Sequence, residues 1–96
     1  MSVEYQHQPD AHRYVLLLDG HLASVLDYSM GGDVIALTRA FTSPPFRGRG
    51  LAGDLVGYAV DDIASTTELR ILPTCWYVGD WFAAHPERQG LLQRSA

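Results

Sequence analysis

Lysine is absent: all seven basic residues of this 96-residue chain are arginines, and eleven acidic residues bring the net charge to −4. That balance excludes a broad nucleic-acid-binding surface and makes any arginine pair a local feature. One cysteine, Cys75, cannot close an internal disulfide, which suits a reducing compartment. No apolar run reaches the length of a membrane span, and the start MSVEYQHQPD has neither the basic residues nor the apolar segment of a signal peptide. The expectation is a soluble cytoplasmic protein with no membrane or nucleic-acid partner, a monomer or weak dimer. Internal repeats and low-complexity tracts are also missing, so residues 1–96 are expected to fold as one domain around a modest core.

The most structured stretch runs from Thr42 to Ser65 (TSPPFRGRGLAGDLVGYAVDDIAS). A Pro-Pro pair ends what precedes it, and a loop with two arginines and two glycines leads into Leu51, Ala52, Leu55, Val56, Ala59, Val60 and Ile63, the apolar stripe of a helix. The first-turn N–H groups of a helix lack partners, and the helix dipole adds partial positive charge there. Gly48, Gly50 and Gly53 allow close approach to the main chain, while Arg47 and Arg49 supply charge and donors. The spot suits an anion, most naturally a phosphate or pyrophosphate; the bland alternative is a solvated loop.

Around this stretch, Met1 to Ala11 is polar and reads as a flexible lead-in. Arg13 to Leu18, His21 to Ser29 and Asp33 to Phe41 read as three strands joined by turns at Asp19-Gly20 and Gly31-Gly32. Alternation places Leu22, Ser24, Leu26 and Tyr28 on one face of the second strand, and Ile35, Leu37 and Arg39 on one face of the third. Glu68 to Leu72 reads as a fourth strand, parallel to the third because a helix separates them. A short helix from Cys75 to Ala84 follows, with Leu91 and Leu92 docking locally beyond it. The expected fold is α/β (α+β): a mixed four-stranded sheet, an antiparallel meander plus a βαβ unit, with two helices.

Arg47-Gly48-Arg49-Gly50-Leu51-Ala52 resembles the R/Q-x-x-G-x-G/A signature with which the GNAT superfamily of acyl-CoA-dependent N-acyltransferases holds coenzyme A. Leu72-Pro73-Thr74-Cys75-Trp76-Tyr77-Val78, with His85-Pro86-Glu87, is similar to a pattern of the small, single-domain YjdJ-type branch. The resemblance spans about Tyr14 to Leu92. It implies a GNAT-like fold in which the strands flanking the helix splay apart. The pantetheine arm of acetyl-CoA would lie against Ala40, Phe41 and Thr42, the pyrophosphate on the amides of Arg47, Gly48, Arg49, Gly50, Leu51, Ala52 and Gly53, and the thioester near Cys75. It implies acetyl transfer to an amine of a small molecule or protein; with no lysine in the chain, any acylated lysine belongs to another molecule. Arg39 stands where the branch carries a histidine, and arginine is a poor proton acceptor. Trp76 replaces a common proline.

An amine with an unperturbed pKa of about 10.4 is mostly charged at neutral pH, so amine acylation needs a proton acceptor. Cys75 has four readings: acyl-accepting nucleophile, hydrogen-bond donor, acid for the departing thiolate, or small buried hydrophobe. Tyr77 is a second acid or a pocket wall. His7, His12 and His21 lack metal-ligand spacing and read as surface or strand-edge residues, and no metal is expected. His85 reads as a helix-end residue; Trp76, Trp81 and Phe82 read as core or pocket wall. The rival to an N-acetyltransferase is a non-catalytic acyl-CoA-binding module. A nucleic-acid role for the RGRG run ranks third, since nothing else on the chain forms a basic run or stacks aromatics in a recognisable pattern.

Overall fold

The structure is a computed structural model describing residues 2–94. Five strands form one sheet in the order β1 to β5: β1 Val3–Gln8, β2 Arg13–Leu18, β3 His21–Gly31, β4 Val34–Thr42 and β5 Arg70–Pro73. β1 to β4 pair antiparallel in sequence order. β5 runs parallel to β4, from Val34↔Arg70 to Leu37↔Pro73, because helix α1 (Leu51–Thr66) carries the chain across. The β2–β3 turn has Asp19 at φ +52° and Gly20 at φ +80°, the two left-handed residues that a tight hairpin needs.

The sheet has one strand more than expected. The residues read as a flexible lead-in supply β1, paired with β2 from Val3↔Leu18 to Gln8↔Arg13. Polar composition hid a period of two: Val3, Tyr5 and His7 share one face, Glu4, Gln6 and Gln8 the other. On the first face Tyr5 stacks on Tyr58 of α1 at 4.7 Å between ring centroids, and His7 stacks on Tyr14 at 4.3 Å.

Strict alternation also fails twice, each time at a one-residue slip in register. Between β2 and β3, Leu16 faces Ser24 and Leu17 faces Leu22, so Ala23 is extra; Ala23 is buried and Leu22 lies 42% exposed rather than beside Leu26 and Tyr28. Between β3 and β4, Asp27 faces Arg39 and Tyr28 faces Leu37. Thr38 is the extra residue there, and it turns Arg39 away from the face of Ile35 and Leu37, leaving Arg39 exposed.

α1 buries Leu51, Leu55, Val56, Ala59, Val60 and Ile63, and each fully buried branched side chain stabilises by about 1.5–3 kcal/mol. α2, Trp76–Ala84, adds Val78 and Phe82 to the same core, so both helices cover one face of the sheet. Leu91 joins that core from a 3-10 turn, Pro86–Leu92. The Arg94 guanidinium donates to the carbonyls of Ala64, Thr67 and Leu69, closing the C-terminal end of α1. Among the described residues no helix is long and apolar enough to cross a membrane.

A buried hydroxyl links the sheet to α1. Tyr14, buried at 1% exposure, donates its hydroxyl to Asp62 Oδ2 at 2.7 Å, and burial, with the Asp62 carboxylate beside it, raises its pKa far above the ordinary tyrosine value. Tyr14→Phe should lower stability by about 1–2 kcal/mol at neutral pH. Above about pH 10 tyrosines of the unfolded chain ionise while folded Tyr14 keeps its proton, so wild-type stability falls as pH rises there. Urea melts of Tyr14→Phe between pH 7 and 11 should show a shallower alkaline decline than wild type.

Candidate functional site

The site begins where β4 loses its second neighbour. Pro73 has no N–H to donate, the extra residue Thr38 bends β4 just beyond the last β5 pair, Leu37↔Pro73, and the Leu37 carbonyl accepts both Cys75 N–H at 3.1 Å and Thr74 Oγ1–H at 3.1 Å. Past that point no described β5 residue pairs with residues 38–42, so the two strands part there. Ala40 and Thr42 are half-buried and Phe41 is exposed. Phe41 O accepts from Ser24 Oγ at 3.1 Å, and Thr42 O accepts from Arg47 Nε at 3.0 Å.

From Thr42 the chain makes a 3-10 turn, Pro44–Phe46, and a loop through Arg47, Gly48, Arg49 and Gly50. Gly48 and Gly50 sit at φ +83° and +74°, and the space a Cβ would take at either is open. Gly50 is the N-cap of α1, with no side chain capping the helix. Asp54 N–H is the first to bond a carbonyl at this end, Gly50 O at 3.1 Å, leaving the amides of Leu51, Ala52 and Gly53 without helical partners. The guanidinium groups of Arg39 and Arg47 lie 5.0 and 5.8 Å from the Phe41 ring centroid, and Arg39 pairs with Asp27 at 3.5 Å. These cations gather where the loop leaves the sheet.

Beside the loop an open cleft of about 470 Å³ lies between the first turn of α1 and α2. α1 contributes Gly53 and Asp54; α2 and its end contribute two neighbouring rows at helical spacing, Trp76, Asp80 and Ala84, and Tyr77, Trp81 and His85. The helices approach closely: a Cβ on Gly53 would lie 3.2 Å from the Tyr77 hydroxyl, and one on Gly57 3.8 Å from Trp81. Burial, and then the Asp54 carboxylate, raises the pKa of Tyr77, so its phenol holds its proton through neutral pH and can donate. His85 stacks on Trp81 at 3.9 Å, and its Nδ1 donates to the Trp81 carbonyl at 2.7 Å, leaving Nε2 as the nitrogen able to accept a proton.

Tyr77 and Gly53, two of the expected site residues, thus share one cleft. Cys75 lies next to it as the N-cap of α2, half-buried against the core and tied to Leu37, outside the cleft lining. Trp76 is 77% exposed, a rim residue and not core. Asp54 and Asp80 were not foreseen, and His85 was read as a helix-end residue rather than a base; the i, i+4 rows of α2 carried the signal.

Comparison with known families gives a match to the family described as GCN5-related N-acetyl-transferase, over residues 13–91. A search of curated proteins returned no match.

The left-handed conformation of Gly50 sets how the loop enters the helix. Gly50→Ala, with open space around it, should destabilise by about 1–2 kcal/mol through backbone strain alone. Gly79→Ala, in α2 at negative φ with nothing within 4 Å, should stabilise by about 0.5–1 kcal/mol through helix propensity. Urea midpoints that move together in the two variants would refute this assignment of strain.

Proposed function

Since the chain belongs to the GCN5-related N-acetyltransferase family, we propose that it is an acetyl-CoA-dependent N-acetyltransferase that acylates an amine of another molecule. The observation that carries the reading is the N-terminus of α1, which no side chain caps, with two left-handed glycines, Gly48 and Gly50, that have open space about them and Arg47 exposed beside them. Those groups suit a pyrophosphate: the amides of Leu51, Ala52 and Gly53 would donate to it, and Arg47 and Arg49 would add charge. The open edge of β4 at Ala40, Phe41 and Thr42 suits an extended, amide-bearing arm. Bound there, acetyl-CoA would supply an activated acyl group whose carbonyl forms the new C–N bond as the C–S bond breaks.

The chain's own residues would then manage protons. His85 Nε2 is the candidate acceptor for the proton leaving the amine, and Tyr77, held as a phenol, is the candidate donor to the departing thiolate. Arg39 cannot serve as base, being a guanidinium paired with Asp27. Cys75 follows β5 as the N-cap of α2, and the preference of open α/β sheets for ligand crevices at strand ends supports a role for it near the thioester.

Calorimetry with coenzyme A tests the binding half. Affinity should weaken as salt is added, and Arg49→Ala should flatten that dependence. A salt-insensitive affinity would remove the arginines from phosphate contact, and no binding at all would sink the reading.

Turnover of acetyl-CoA with an amine tests the chemical half. His85→Gln should lower kcat by about a hundredfold or more. Cys75→Ala separates the roles of the thiol: a mass adduct in wild type and near-total loss in the variant identify a nucleophile, partial loss without adduct a proton donor, and unchanged kcat a packing residue. Coenzyme A binding without any amine-dependent turnover would instead mark a non-catalytic acyl-CoA-binding module.

A further inference from the structure

Both helices lie on one face of the sheet, and among the described residues no helix covers the other. Tyr14, Leu16 and Leu18 of β2 pack under the helices, so Val15 and Leu17 point to the open face. Register carries that face across the strands in rows. The middle row is Gln6, Val15, Val25 and Phe41; on one side of it Leu17 stands opposite Leu22, and on the other Arg13 stands opposite Asp27, with Gln8 and Arg39 at the ends. Val15 is fully buried although no helix lies over it, while Leu22 is 42% exposed. An apolar block bordered by charge, on a face that nothing in the chain covers, has the make-up of an interface.

A second copy of the same face meets these rows in a definite way. Sheets that pack face to face commonly keep their strands nearly aligned. A two-fold axis between them, parallel to the strands and midway between β2 and β3, lays β2 of each copy over β3 of the other. Leu17 then lies over the partner's Leu22, Val15 over the partner's Val25 and Arg13 over the partner's Asp27, each contact occurring twice. The side chains lean to suit this. Arg13 reaches toward β1, where its Nε donates to Gln8 Oε1 at 2.6 Å, and Asp27 reaches toward β4, where it pairs with Arg39 at 3.5 Å. Because the axis sets β4 of one copy over β1 of the other, those two leans converge across the interface. Turning the axis across the strands reverses the rows and sets Arg13 and Asp27 on the partner's leucines, burying charges without partners. Charge complementarity therefore selects the first arrangement.

We infer that the open face of β2 and β3 is the interface of a two-fold dimer of this chain, with Val15, Leu17, Leu22 and Val25 as its apolar centre and Arg13 and Asp27 as reciprocal ion pairs. A face this narrow makes a weak, reversible dimer. The assembly does not depend on the acetyltransferase reading.

Sedimentation equilibrium of the full chain tests this. Wild type should show a reversible monomer–dimer equilibrium with a Kd of about 10–100 μM, the range that suits a small interface. Leu22→Asp, at a position exposed enough for the folded monomer to accept it, should raise that Kd at least about tenfold. Arg13→Asp and Asp27→Arg, each alone, set like charges opposite one another at both contacts and should be monomers. Mixed in equal amounts, the two variants should associate one to one, because every contact across the interface is then between opposite charges. Within each variant chain the charges at 13 and 27 stay alike, so a merely intramolecular effect cannot produce that rescue. Circular dichroism melts separate lost association from lost folding, and Leu22→Asp decides the matter if a charge variant does not fold. A wild type that is still monomeric at about 300 μM, a Leu22→Asp chain that associates as wild type does, folded charge variants that fail to pair when mixed, or growth past the dimer would each overturn the inference.

Discussion

The Leu37 carbonyl is the point on which the architecture turns. It takes the Cys75 N–H and the Thr74 hydroxyl together, using both lone pairs to end the pairing of β4 with β5. On one side of that point the parallel ladder holds the βαβ unit; on the other, β4 continues alone through Thr42 into the loop. The same bonds start α2 at Trp76, so its position against α1, and with it the cleft, follows from where the ladder stops. An extra residue at Thr38 and a proline at 73 accomplish this with two local irregularities and no long insertion.

Much of this was readable in the residues because its causes are local. The Pro-Pro stop, the Arg-Gly-Arg-Gly loop and the stripe from Leu51 to Ile63 specify a loop and a helix start without reference to the rest of the chain, and the helix between Phe41 and Glu68 requires a parallel β5. β1 was missed because an edge strand needs only one apolar face. The faces of Leu22 and Arg39 were misplaced because a slip in register depends on the partner strand, and alternation within one strand carries no record of it. The cleft was missed for a related reason: α2 packs Val78 and Phe82 inward, and only the position of α1 shows that Tyr77 and Trp81 face a second helix.

Charge is divided along the same boundary. Arg39 and Arg47 gather about Phe41 where the loop leaves the sheet, and Asp54 and Asp80 face each other's helix across the cleft. The first turn of α1 belongs to both regions, since its amides open toward the loop while Asp54 points into the cleft. A carboxylate there is favourable to the helix dipole, and it adds to the burial that raises the pKa of Tyr77 across the gap and of Tyr5 on β1. One helix turn thus carries amides without helical partners on one side and a carboxylate on the other.

That division gives the lack of lysine a physical sense. On the proposed reading the protein holds an activated acyl group and takes an amine from another molecule, and a flexible surface lysine would be both a competing occupant of the acceptor site and an unwanted acceptor. A guanidinium is neither, because it keeps its proton and offers no nucleophilic nitrogen at neutral pH. Arginine meets every structural need for a cation that the chain shows: Arg94 closes the end of α1 with a fork of bonds to three carbonyls, Arg88 pairs with Asp61, and Arg47 ties the loop to Thr42. The planar, multiply donating group performs these tasks better than a point charge on a flexible stem would, so excluding lysine removes a side reaction at no cost to the fold.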